Sequence, residues 1–178
     1  MDYRILDIVE GTSVDGPGLR TSIYFSGCRH CCKGCHNPQS WDFEAGKLVS
    51  SEEIIEIVRY NDFNVTLSGG DPLYHSVEIA DLCRRIKEEV GKNIWCYTGF
   101  TWEEILSDDD MLKLMDYVDV VVEGPFMEEL RDTSLRFKGS SNQRIIDVDK
   151  SIKERKIVLI SKEDLQKARW YNKKALDL

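Results

Sequence analysis

Asn64-Val65-Thr66-Leu67 is a run of strand formers cut off by the glycine turn Ser68-Gly69-Gly70-Asp71-Pro72. Apolar residues then recur at helical spacing through Val77 to Val90, at Ile79, Leu82, Cys83, Ile86 and Val90. Strand, glycine turn and helix make one βα unit, and the flanking sequence repeats it. Upstream, Thr21 to Ser26 reads as a strand ending at Gly27, and Ser50-Ser51-Glu52-Glu53 has the form of a capping box that opens a helix through Ile54, Ile55 and Val58 to Tyr60. Downstream, Asn93 to Thr98 is a third strand, Thr101-Trp102-Glu103-Glu104 a second capping box, and Tyr117 to Val122 a fourth strand ended by Gly124-Pro125.

The alternation is βαβαβα, which requires right-handed crossovers and a mainly parallel sheet in an α/β fold. A doubly wound sheet and a barrel both satisfy it. Each glycine-rich motif follows a strand, so the motifs gather on the carboxyl-terminal edge, the functional face of either architecture. The expectation is a partial, incomplete TIM-type barrel of parallel βα units, because a full barrel needs about 250 residues and the chain has 178.

That length suits a single domain over residues 1–178, and no linker-like segment divides it. Net charge is −8, with an isoelectric point near 5.0, which argues against nucleic acid as the principal partner. The longest apolar runs, such as Val118 to Val122, are too short to cross a bilayer. The start Met1-Asp2-Tyr3 shows no secretory signal, so the expected location is cytoplasmic, with reduced thiols. Residues 148–178 carry no recognisable motif, and Ser161 to Leu178 reads as a basic, partly helical tail.

Between the first strand and the first capping box, Cys28, Cys32 and Cys35 form a C-x3-C-x2-C spacing inside a glycine-containing loop that ends at Pro38. Three thiolates this close can hold three irons of a cubane cluster and leave the fourth iron open to another ligand. On spacing alone a zinc site remains admissible, with His30 or His36 completing a Cys3His set. A structural zinc site usually draws a second ligand pair from a distant knuckle, and none is present. Cys31 falls outside the spacing, while isolated Cys83 and Cys96 read as buried core thiols.

The other motifs admit bland readings. Asp15-Gly16-Pro17-Gly18-Leu19-Arg20 reads as a tight turn. The adjacent glycines of Ser68-Gly69-Gly70-Asp71-Pro72 let a ligand approach the backbone, where free carbonyls accept from an ammonium group, and Asp71 adds an acceptor or orients the turn. Gly139-Ser140-Ser141-Asn142-Gln143-Arg144 reads as a polar connection ahead of Ile145-Ile146, with Arg144 or Arg136 able to meet a carboxylate. No histidine has the partners of a nucleophilic triad.

Together, Cys28-x3-Cys32-x2-Cys35 and Ser68-Gly69-Gly70-Asp71-Pro72 resemble the radical S-adenosylmethionine superfamily. The Asp15 to Arg20 stretch resembles the glycyl-radical-enzyme activases within it. Gly34-Cys35-His36-Asn37-Pro38, Tyr97-Thr98-Gly99-Phe100, Glu123-Gly124-Pro125-Phe126 and Gly139 to Arg144 resemble the subfamily that activates anaerobic ribonucleoside-triphosphate reductase. The likeness runs from about Ile8 to Asp147.

The resemblance implies that Cys28, Cys32 and Cys35 ligate a 4Fe-4S cluster and that S-adenosylmethionine chelates the open iron. Ser68, Gly69 and Gly70 would receive the methionyl ammonium, with Asp71 where the superfamily often has Glu. Gly34 and His36, flanking Cys35, would meet the adenine. A 5′-deoxyadenosyl radical would then take a Cα hydrogen from a glycine of the large reductase subunit, with no acid-base residue required. A hetero-oligomer with that subunit and a low-potential donor such as flavodoxin are the partners implied. Activation of another glycyl radical enzyme, such as pyruvate formate-lyase, and a zinc-stabilised module without catalysis are the alternatives.

Overall fold

A computed structural model of the chain describes residues 1–166, so the remainder of the expected tail lies outside the described residues. Seven strands appear: β1 (Asp2–Thr12), β2 (Arg20–Phe25), β3 (Lys47–Ser50), β4 (Asn64–Gly69), β5 (Ile94–Tyr97), β6 (Val120–Glu123) and β7 (Arg144–Asp147). They form one sheet in the order β3-β1-β2-β4-β5-β6-β7. The neighbours β2, β4, β5 and β6 are parallel, as the βαβ alternation requires. The margins are antiparallel: β1 pairs so with β2 and β3, and β7 with β6. These margins are reached through loops with no crossover helix, which permits antiparallel pairing.

Among the described residues the α-helices are α1 (Ser51–Asn61), α2 (Ser76–Arg85), α3 (Trp102–Leu106), α4 (Asp109–Met115) and α5 (Val148–Glu154). Both expected capping boxes begin helices. Ser50 Oγ accepts from the Glu53 N–H at 3.2 Å, and Thr101 and Glu104 cap each other reciprocally. The apolar run expected to reach Val90 continues beyond α2 as a π-helical turn, Ile86–Val90, which stops at Gly91 in left-handed backbone.

Strand alternation sorts the sheet into two faces. Ile23, Phe25, Val65, Leu67, Ile94, Cys96, Val121 and Ile146 pack beneath the helices with Ile54, Ile55, Val58, Ile79, Leu82, Cys83, Ile105 and Leu114. Cys83 and Cys96 are therefore core thiols, as their surroundings in sequence predict. The other face carries Arg20, Tyr24, Thr66, Ser68 and Tyr97 at its centre, and Trp95, Val120, Val122 and Ile145 packed with Ile160 and Leu165 toward β7.

Arg20 is wholly buried on this open face. Its Nε donates to Thr66 Oγ1 at 2.6 Å, its Nη2 donates to the Val65 carbonyl and to Asn93 Oδ1, and its guanidinium lies 5.4 Å from the Trp95 ring centroid. Burial pulls its pKa down to about 9, against the attraction of neighbouring groups including Asp119 and Asp15. Thr66 Oγ1 in turn donates to the Asp15 carbonyl at 2.8 Å. The Asp15 to Arg20 turn is thus anchored on β4 by its own arginine.

Candidate functional site

The carboxyl ends of β2 and β4 lie side by side, with Tyr24 opposite Ser68 and Phe25 opposite Gly69. That register brings the cysteine loop and the glycine turn together. Gly27 has φ +95° and donates to the Ser40 carbonyl at 2.8 Å, which swings the chain out of β2 into the cysteines. Gly70 donates to the Phe25 carbonyl at 2.7 Å, and Asp71 donates through its N–H to the Gly27 carbonyl at 2.8 Å. The approach is so close that a Cβ on Gly70 would fall on the Gly27 carbonyl oxygen.

Asp71 fastens this junction through its side chain. Its carboxylate is inaccessible to solvent and has four partners: the Leu73 N–H at 3.0 Å, the Gly99 N–H at 2.8 Å, Thr98 Oγ1 at 2.9 Å and His30 Nε2 at 2.9 Å. One carboxylate therefore ties the cysteine loop and the end of β5 to the turn after β4. His30 also packs edge-on against Phe100, with ring centroids 4.6 Å apart. A Cβ on Gly99 would lie 2.5 Å from the His30 ring, so only glycine admits this packing.

Cys28, Cys32 and Cys35 line one cavity of about 890 Å³ together with Ser68, Gly69, Gly70, Asp71 and His36. The Cys35 N–H donates to the Cys32 carbonyl at 3.1 Å, and Asn37 directs its N–H to Cys35 Sγ at 3.4 Å. Burial pushes the Cys28 thiol up to about 11 and the Cys32 thiol above its ordinary value, against hydrogen bonds from the backbone of His30 and Phe126 respectively. Cys31 is exposed and does not line the cavity.

Among the described residues, no three His, Cys, Asp or Glu side chains gather as a single-ion site. His30 is bonded to Asp71, and His36 packs on Phe126 with ring centroids 4.9 Å apart. Three soft sulfur donors thus line a space larger than one ion, a set that suits an iron-sulfur cluster.

Of the other expected contacts, Gly34 is not among the cavity-lining residues, and a Cβ there would lie 2.9 Å from Glu128 Oε1. The polar string before β7 is more than a connection. Gln143 accepts from the Gly139 N–H at 2.8 Å and donates to the Gly124 carbonyl at 2.9 Å, while Asn142 donates to the Pro125 carbonyl at 2.8 Å. Arg144 meets two carboxylates, buried Glu123 and surface Glu103. Gly139 closes over the cysteine loop, where a Cβ would lie 3.0 Å from Phe126 and 3.2 Å from His36.

Sequence reasoning missed His30 and Thr98 as partners of Asp71, and Tyr24 and Tyr97 as lining residues. The strings containing Thr98, Tyr97 and Gly139 were visible, but which residue each would face depends on strand register.

The 4Fe-4S single cluster domain family matches residues 14–146. The anaerobic ribonucleoside-triphosphate reductase-activating protein of Haemophilus influenzae is 39% identical over 142 residues, covering 74% of this chain and 90% of its own. Those of Vibrio cholerae and Escherichia coli K12 are 38% and 37% identical over 141 residues, covering 74% and 73% of this chain and 90% and 89% of their own. This chain belongs to the anaerobic ribonucleoside-triphosphate reductase-activating protein family. The enterobacteria phage T4 member is 34% identical over 139 residues, covering 74% of this chain and 86% of its own. In this family member, the matched segment contains the cysteine loop, the Asp71 junction and the Gly139 to Arg144 string.

Proposed function

We propose that the chain is a radical S-adenosylmethionine activase that installs a glycyl radical on the large subunit of anaerobic ribonucleoside-triphosphate reductase. The observation that carries this reading is the cavity in which three cysteines face the Ser68-Gly69-Gly70 turn. Cys28, Cys32 and Cys35 would hold a 4Fe-4S cluster. When bound, a reduced cluster would supply the one electron needed for reductive cleavage of S-adenosylmethionine, the chemistry by which a glycine Cα hydrogen of the partner would be taken up in 5′-deoxyadenosine.

The chain's own residues would position and enclose. Ser68 and the carbonyls of Gly69 and Gly70 would receive the methionyl ammonium. His36, held by Phe126 and Gly139, would meet the adenine, with Gly34 shaping the bend beside it. Asp71 would act by fixing the turn, since its oxygens are already committed to protein donors. A closed wall matters because a primary carbon radical reacts with whatever lies nearest.

The finer architectural reading is that the single domain over 1–178 curls into an incomplete barrel whose open side meets the reductase in a hetero-oligomer. A low-potential donor such as flavodoxin in the cytoplasm would supply the electron. No described helix is long and apolar enough to cross a membrane.

Anaerobically reconstituted protein, dithionite and S-adenosylmethionine provide the test. The expected result is release of 5′-deoxyadenosine that is lost in Cys32→Ala, and a glycyl radical signal once the large subunit is added. A full, reducible cluster giving no cleavage with or without that subunit overturns the reading.

A further inference from the structure

Between Cys28 and Cys35 the loop stands largely in solvent, with Arg29, Cys31, Lys33 and Gly34 all exposed. Arg29 rests over the Phe43 ring, and Lys33, 90% exposed, pairs with Glu128 at 3.0 Å. Neither reaches the Ser68 to Asp71 turn. His30 does, because its Nε2 lies 2.9 Å from Asp71 Oδ2 with the two side chains 18% and 1% exposed. The same Oδ2 accepts from Thr98 Oγ1 and from the Gly99 N–H, so the acceptor that His30 meets is itself fixed to the end of β5. The His30 ring also packs on Phe100 and on Tyr74, with centroids 4.6 and 5.4 Å away. A hydrogen bond accepted by a carboxylate is stronger than one between neutral groups, and this one is mostly screened from water.

We infer that His30 is a positioning residue: through Asp71 it sets the distance between the three cysteines and the glycine turn, and thereby the affinity for a ligand that must touch both. This rests on the activase reading above, in which S-adenosylmethionine meets the cluster and the turn together. The backbone bonds from Gly70 to Phe25 and from Asp71 to Gly27 tie the turn only to the chain ahead of Cys28. His30 lies midway between Cys28 and Cys32, so its bond carries the placement of the turn into the loop itself. Cys32 and His36 also meet Phe126, but Phe126 follows β6 and fixes the loop against a different wall from the one that holds the turn.

Two substitutions separate the bond from the ring. His30→Phe keeps an aromatic ring against Phe100 and Tyr74 but has no donor for Asp71, whereas His30→Gln keeps an N–H donor and loses the ring. Anaerobically reconstituted parent and variants are compared by iron and sulfide content, by the paramagnetic resonance spectrum of the reduced cluster with and without S-adenosylmethionine, and by the directly measured Kd for S-adenosylmethionine. All three should hold a full cluster with the same spectrum in the absence of S-adenosylmethionine, since the cysteines are intact. In His30→Phe the Kd should rise about tenfold, and the spectral change on adding S-adenosylmethionine should need correspondingly more of it. His30→Gln should stay within about threefold of the parent. A parent-like Kd in His30→Phe overturns the inference, as does a His30→Gln as weak as His30→Phe, which would assign the effect to ring packing. A variant unable to hold a full cluster also overturns it, by making His30 a residue of loop folding. A parent that holds a reducible cluster yet binds no S-adenosylmethionine overturns the activase reading, and this inference with it, before any variant is compared.

Discussion

Leu67 and Thr66 are neighbours in β4, both wholly buried, and they answer to different constraints. Leu67 points into the layer between sheet and helices, where its neighbours are apolar and need only fill space. Thr66 points to the open face, where its hydroxyl accepts from Arg20 and donates to the Asp15 carbonyl. One face is stabilised by apolar area. The centre of the other, beside the apolar cluster around Trp95 and Val120, is held by directional bonds that fix loops around a cavity, and it leaves the Tyr97 hydroxyl unsatisfied among the described residues.

The contrast breaks most visibly at the rim. Gly70→Ala would drive its Cβ onto the Gly27 carbonyl oxygen and force the cysteine loop away from the turn. S-adenosylmethionine cleavage should fall by about a hundredfold or more, as expected when reacting groups are misplaced by an ångström. The helix-covered layer does not reach this contact, so the melting temperature should change little by comparison. Full activity in the alanine variant would show that the two loops move independently.

The matched pair in β4 sharpens the comparison. Leu67→Ala should cost about 2–5 kcal/mol of stability by leaving a cavity in a packed layer. Below its lowered melting temperature it should still assemble a cluster. Thr66→Val keeps the shape but removes the acceptor for the buried Arg20 guanidinium and the donor to Asp15, and should cost about 1–3 kcal/mol or more, a loss of the same order. Because it frees the Asp15 to Arg20 turn, however, Thr66→Val should impair activity at temperatures where both variants are folded. Denaturant unfolding paired with 5′-deoxyadenosine assays separates the two, and the reverse ranking of activity would sink the distinction between faces.

The same contrast explains what the sequence made legible. Ile79, Leu82, Cys83 and Ile86 announce their face by spacing alone, and Ser50 and Thr101 mark helix starts through local chemistry. The cysteine spacing and the glycine turn identified the candidate site because each is contiguous. β1 was missed since only Tyr3 and Ile5 of its eleven residues are buried, so its alternation is faint. β3 buries only Val49 of its four residues and β7 offers only the apolar pair Ile145-Ile146, whereas the equally short β5 and β6 are continuous apolar runs flanked by turn residues. Glu123 and Arg144 meet only because β6 and β7 pair antiparallel in that register. His30 and Asp71 are 41 residues apart, and their contact depends on a parallel pairing that no local pattern encodes.

The smallest effect is expected where the open face reaches the surface. Arg144 bridges buried Glu123 and exposed Glu103, and its hydrogen bonds hold the Glu103 carboxyl below its ordinary value of 4.5. A folded-state pKa below the unfolded one stabilises the protein fully above the unfolded value, and that contribution is lost as pH falls through the folded value. Solvent screens the pair, so its worth is below about 1 kcal/mol. Glu103→Gln should therefore leave stability unchanged at pH well below the folded value and lower it slightly above pH 5, flattening the acid limb of the stability profile. Arg144 retains Glu123 in that variant, so the β6–β7 pairing and the Gly139 loop should remain in place. Loss of 5′-deoxyadenosine release at neutral pH in Glu103→Gln would show instead that this surface carboxylate helps to hold the rim of the cavity.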